Sequence, residues 1–250
     1  LLVDYFEHVA GNSDLVQVER YGYTNEDRPL MLAFISTPEN LARLEAIRMN
    51  NLRRIGMLAG EVDPALNVSL VWLSYSVHGN EAAGSESSMG VIYELTRPDN
   101  AQTKEWLKNT VVVMDPSINP DGYSRYTHWY RRNTNQITNP NRDVREHDEP
   151  WPGGRVNHYL FDLNRDWAWQ TQEESQQRLK VYRRWYPHIH ADLHEQSYND
   201  PYYFAPAARP YHEYLTDWQG DFQVEIGKNH ARYFDKNGWL YFTKEVFDLL

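Results

Sequence analysis

Residues 68–81 read VSLVWLSYSVHGNE, an apolar run that stops at a polar turn. Val68 to Val77 has the β-branched and aromatic content of a buried strand and is bounded by Asn67 and Gly79. The pattern changes at Glu81, where residues 81–95 take on helical character. A second short apolar run, TVVVM at 110–114, has the composition of a central strand covered on both faces. Outward from these two, residues 15–21 and 30–36 read as strands joined through the polar stretch 24–27, a hairpin. Residues 1–10, 171–186 and 211–234 read as helices. Thr37-Pro38 opens another that runs to Gly60, with Thr as cap and Pro in the first turn. Residues 187–193 and 202–205 read as further strands, and a short run at 239–243 follows the last helix. Residues 115–159 are polar and rich in Pro, Gly, Asn and Arg, and are expected to be irregular. Strands alternating with helices predict an α/β fold, with a mixed, largely parallel central sheet flanked by helices. No repeat or linker interrupts the 250 residues, so a single domain is expected.

Composition narrows the chemistry. The formal net charge of -10 argues against a nucleic-acid or anionic-membrane surface. No apolar run is long enough to span a bilayer. There is no cysteine, so disulfides and thiolate metal sites are excluded, and any metal must be held by His and carboxylates.

Four polar motifs stand out. His78-Gly79-Asn80-Glu81 lies where a strand gives way to a helix, the place where open α/β sheets bind ligands. A His and a Glu three apart on such a turn can face one cation; a capping Glu on a plain turn has the same composition. Asp192-Leu193-His194-Glu195 ends another strand. A His from there would complete two His and one carboxylate with a fourth position open, the catalytic zinc pattern. His188 and His190 share the parity of His194 and rival it; His194 is preferred because it sits at the strand end. Asp162-Leu163-Asn164-Arg165-Asp166 offers an amide and a guanidinium suited to gripping a carboxylate. Its alternative is a surface Arg165 paired with Asp166, and Asp162 could orient a ligand His from behind. Asn119-Pro120-Asp121-Gly122-Tyr123 is a turn by composition. It leads to Tyr130-Arg131-Arg132-Asn133, where a cation could stabilise an oxyanion or simply be solvated.

Taken in order, these motifs resemble the zinc metallocarboxypeptidase family, the group typified by the pancreatic carboxypeptidases. The resemblance extends to Gly22–Leu30, which is similar to the family's opening stretch, and spans essentially the whole chain. It implies a carboxypeptidase-like three-layer fold of the phosphorylase/hydrolase type. It implies Zn2+ held by His78, Glu81 and His194, with Asp162 supporting His78. It further implies Asn164 and Arg165 on the terminal carboxylate of a peptide substrate, and Arg131 on the scissile carbonyl. The implied reaction is release of C-terminal residues by a metal-activated water, in a secreted or periplasmic setting.

The chain departs from the family in three places. Asn80 stands where Arg is usual, and Glu195-Gln196 where Ser-Tyr is usual. The family's general base is a Glu on a late strand, preceded by a capping Tyr. The 56 residues after His194 (250 − 194) hold no match for it in context. Glu225 lies in a helical pattern and Glu245 near the end. The expectation is a chain that lacks its C-terminal part, with the base beyond Leu250. Two rival functions share most of these features. One is an N-acyl amino-acid amidohydrolase of the desuccinylase and aspartoacylase type. The other is a non-catalytic domain that binds zinc and peptide tails. A metal-free α/β domain is the blandest alternative.

Overall fold

The computed structural model describes residues 1–196, 202 and 204–242. They divide into two compact units, residues 1–195 and 196–250. In the first unit the hairpin is formed by β1 (Val16–Tyr23) and β2 (Pro29–Ile35). Then come α2 (Pro38–Ala42) and α3 (Leu44–Arg54), β3 (Ser69–Tyr75), α4 (Ala82–Thr96), α5 (Ala101–Leu107) and β4 (Thr110–Asp115). They are followed by α6 (Pro120–Asn133), α7 (Glu173–Trp185) and β5 (Ile189–Leu193); α1 (Leu2–Asn12) opens the chain. The sheet order is β1-β2-β4-β3-β5. The hairpin strands are antiparallel to each other, and β2 is antiparallel to β4. β3 lies between β4 and β5, parallel to both. The sheet is therefore mixed, and its parallel half carries the strand ends that sequence pointed to.

Alternation along the strands sorts the core into two layers. Ile35, Tyr75, Val112 and Met114 pack against Phe6 of α1, Ile92 of α4 and Leu107 of α5. Leu32, Phe34, Leu70, Trp72, Val111 and Val113 pack against Ile47 of α3 and Val181 and Trp185 of α7. With both faces covered, β3 and β4 need apolar residues at nearly every position, as their sequences supply.

Two elements depart from expectation. The helix opened by Thr37 breaks at Arg43 into α2 and α3. More consequentially, residues 120–133 of the polar excursion form α6. Pro120 sits in its first turn, and the Asn119 side chain accepts from Gly122 N at 2.9 Å. It carries an aromatic stripe rather than an aliphatic one, Tyr126, Trp129 and the exposed Tyr130 in mutual contact. Helical periodicity is hard to see in such residues.

In the second unit α8 (Asp217–Asn237) begins at a capping box, Thr216 with Gln219, and ends at Gly238 in the left-handed region (φ 68°). Phe204 packs on Phe234 and Tyr241. The expected strand at 202–205 and the expected run 239–243 fall partly outside the described residues, as does Glu245. Residues 202, 204 and 205 are not in a strand. Among the described residues no helix is long and apolar enough to cross a membrane.

Candidate metal centre

β3 ends at Tyr75, and the chain turns sharply through Ser76, whose φ of 50° is left-handed. The Ser76 hydroxyl donates to Glu81 O (3.0 Å) and accepts from Ser85 N (3.0 Å), which ties the turn to the start of α4. Gly79 passes so close to α6 that a Cβ would lie 2.1 Å from Tyr123 N. Only glycine fits there. Gly122 meets the 153–157 segment in the same way, with Gly154 O 2.2 Å from its would-be Cβ. Three stretches distant in sequence thus converge backbone to backbone behind His78.

His78 is 3% exposed. Its Nδ1 lies 2.8 Å from Glu81 Oε1, and its Nε2 lies 3.1 Å from Asp162 Oδ1. His194, just past β5, repeats the pattern: Nδ1 is 2.9 Å from Glu81 Oε2 and Nε2 is 3.2 Å from Asp192 Oδ2. The two rings are 5.0 Å apart, and one potential ligand atom from each of His78, Glu81 and His194 lies within 4.8 Å of the others. Each Nε2 faces a carboxylate, which favours a proton on that nitrogen and a lone pair on Nδ1. Two imidazole lone pairs and a carboxylate then point at one spot with no donor among them. Such a donor set fits a divalent cation. Hydrogen bonds to Asp192 and Glu81 push the His194 pKa up to about 10. Burial alone would raise the Glu81 carboxyl, but the hydrogen bonds from His194 and His78 outweigh it and bring it to about 2.

The rival histidines are engaged elsewhere. His188 Nδ1 accepts from Leu70 N at 3.0 Å, and His190 Nε2 lies 2.8 Å from Ser74 Oγ, its ring against Trp167 and Tyr182.

Asp162 has two further partners. Its Oδ1 accepts from Asn164 N at 2.9 Å, capping the short 3-10 turn Leu163–Arg165. Its Oδ2 receives Arg155, with Nη2 at 2.9 Å. Burial tends to raise this carboxyl, but His78, Arg155 and the cap bond together lower it. One carboxylate therefore couples His78 to the turn that carries Asn164 and Arg165. Asp166 accepts from Thr171 N, Thr171 Oγ1 and Gln172 N instead of pairing with Arg165. The Arg165 side chain is exposed and donates only to Asn164 O (3.1 Å) among the described contacts.

The arginine at the centre is Arg155, which the sequence reading did not single out. Its Nη1 lies 3.4 Å from His78 Nδ1. Arg125 of α6 secures that segment by donating to the carbonyls of Gly153, Val156 and Asn157. Arg131 is not brought to the triad by any described contact. It sits near the end of α6 and lines a cavity of about 290 Å³ with Leu2, Val3, Met31, Met89 and Tyr123. The cause is α6 itself: residues expected to be irregular form a helix, which carries Arg131 away from the strand end. Asn80 donates to Glu149 (2.9 Å).

Two histidines and a glutamate at the parallel strand ends of an α/β sheet are a donor set of the kind that holds a catalytic metal. Comparison with known proteins narrows it. The model of the zinc carboxypeptidase (peptidase M14) family matches residues 2–201, and the chain belongs to that family. Carboxypeptidase 2 of Trichophyton tonsurans is 26% identical over 132 residues, a stretch that is 53% of this chain and 19% of that protein. Among solved structures, a metallo-carboxypeptidase from Burkholderia cenocepacia aligns with a TM-score of 0.64 at 16% identity, over 99% of this chain and 52% of that one. Carboxypeptidase A from Helicoverpa armigera aligns with a TM-score of 0.61 at 15% identity, over all of this chain and 56% of that one. The chain thus spans about half the length of these solved neighbours and matches about a fifth of the curated relative.

Proposed function

We propose that His78, Glu81 and His194 hold a zinc ion, and that the protein bearing this chain uses it to release the C-terminal residue of a peptide. One observation carries the proposal: the three donors converge within 4.8 Å, and Asp162 links them to the Asn164–Arg165 turn. Zinc bound there would supply Lewis-acid chemistry, polarising a carbonyl and acidifying water. The chain's own residues do the rest. Asp162 and Asp192 hold a proton on each Nε2 and orient the two imidazoles so that Nδ1 is the atom presented to the metal. Asn164 and Arg165 take the terminal carboxylate, Arg165 with a fork that no side-chain acid occupies among the described residues. Arg155 places a fixed positive charge beside the triad, where a carbonyl oxygen gains negative charge as the amide is attacked. This role falls to Arg155 rather than Arg131. The proton acceptor is assigned to none of the described residues.

The test compares a peptide with a free C-terminus, the same peptide amidated, and an N-acyl amino acid. The free peptide is expected to be trimmed from its end and the amide spared. Arg165→Ala is expected to lower kcat/KM about 10- to 100-fold, the worth of charge-assisted hydrogen bonds. Equal cleavage of the amidated peptide would refute the carboxylate grip. Turnover of the N-acyl amino acid alone would favour the amidohydrolase alternative.

A further inference from the structure

The sheet face that packs against α7 turns polar at its last row. Register sets Asp115 of β4, Ser74 of β3 and Asp192 of β5 side by side, continuing the parity of Val113, Trp72 and His190. α7 covers that face with Val181 and Trp185, and Arg178, three residues before Val181, is 0% exposed. Its guanidinium stacks on the Trp167 ring at 3.8 Å. None of its three nitrogens has a hydrogen-bond partner among the described residues. The ionisable groups that act on it are Tyr21, Asp115, Asp192 and Asp166.

The carboxylates of that row are half satisfied in a complementary way. Tyr21 donates to Asp115 Oδ2 at 3.0 Å, and Asp192 Oδ2 faces His194 Nε2 at 3.2 Å. Asp115 Oδ1 and Asp192 Oδ1 are buried without partners among the described residues. Leaving a buried guanidinium and two carboxylate oxygens in one neighbourhood all unpaired is costly, and ordered water is the usual bridge between such groups. The arrangement parallels the other half of the centre, where Arg155 backs Asp162 and Asp162 backs His78.

We propose that Arg178 is a positioning residue for the metal centre: bridged by water to Asp192 Oδ1, with Asp115 as its second anchor, it fixes the Asp192 carboxylate and through it the His194 ring with Nδ1 toward Glu81. The proposal rests on the zinc assignment above. Arg178 touches neither metal nor substrate and acts only through Asp192.

The test is zinc affinity, read by competition with a chromophoric chelator, on the protein bearing this chain. Arg178→Met and Asp192→Asn are each expected to weaken zinc about 10-fold or more, as loss of groups behind metal ligands does. Combined, they should weaken it little beyond the worse single variant, because both break one chain of contacts. A purely structural Arg178 would lower the melting temperature and leave zinc affinity as in the wild type; that result overturns the proposal. If Arg178→Met does not fold, Arg178→Lys carries the test. Asp192→Asn should then cost less in the Lys background than in the wild type, and full additivity overturns the proposal. Failure of the wild type to bind zinc would refute the metal assignment itself. Wild-type binding with an unaffected Arg178 variant would refute only this role.

Discussion

The two histidines of the candidate metal centre face the same carboxylate from very different ground. His78 is sealed behind a convergence of three backbones, and its supporting Asp162 comes from 84 residues away. His194 keeps 31% side-chain exposure, and its supporting Asp192 lies two residues back, near the end of β5. Long-range packing sets the first half, so its geometry depends on the fold closing correctly. Strand geometry sets the second, because residues i and i+2 share a face. The first half also shares its aspartate with the Asn164–Arg165 turn, whereas the second does not.

The largest expected effects come from removing the histidines. His78→Ala and His194→Ala should each reduce zinc content and turnover to the level of a chelator-treated sample. If only one did so, the two halves would not be equal partners. Next, Arg155→Ala should lower turnover about 10²- to 10³-fold, the usual cost of losing an oxyanion donor. Arg131→Ala should leave it within a few-fold, and the reverse ranking would return the role to Arg131. The supporting acids sharpen the contrast. Asp162→Asn and Asp192→Asn should each cost about 10- to 100-fold in zinc affinity. Only Asp162→Asn should also raise KM, because it alone caps the turn carrying Asn164 and Arg165. Gly79→Ala should destabilise the fold by about 1–3 kcal/mol in denaturant unfolding, since its Cβ would strike Tyr123 N. Aspartate replacement at the exposed half has no such steric cost.

The smallest effect is in pH. Without metal, the His194 pKa is raised to about 10, so its contribution to stability is full below the ordinary histidine value of about 6.5 and is lost as pH rises through about 10. Glu81 has the opposite sign. Its pKa is lowered to about 2, so its contribution is present above the ordinary carboxylate range and is lost as pH falls through about 2. Zinc must displace the His194 proton, so its affinity should climb with pH toward 10. Calorimetric binding in buffers of differing ionisation heat would count that proton, and a pH-independent affinity would contradict it.

These contrasts also explain what could be read from sequence. His78 and Glu81 share one turn and His194 follows a strand, but neither motif alone separates a metal site from a polar turn; the order of the motifs and the family resemblance brought the three together. Asp162, Asn164 and Arg165 sit in one five-residue motif, so the sequence presents them together. Arg155 was not found, because six arginines lie between Asn119 and Asp162 and only the fold says which one reaches His78. The choice of Arg131 assumed an irregular chain through residues that form α6, whose aromatic stripe hid its period. Arg178 reads in sequence as one more helical cation. Its burial against the Asp115–Ser74–Asp192 row exists only once three strands are in register.

The most direct test is the zinc content of the purified protein after dialysis against metal-free buffer, measured beside the two histidine variants. The expected result is one zinc per chain in the wild type and none in His78→Ala or His194→Ala. A wild type without zinc, or both variants retaining it in full, would contradict the assignment of His78, Glu81 and His194 as the metal centre.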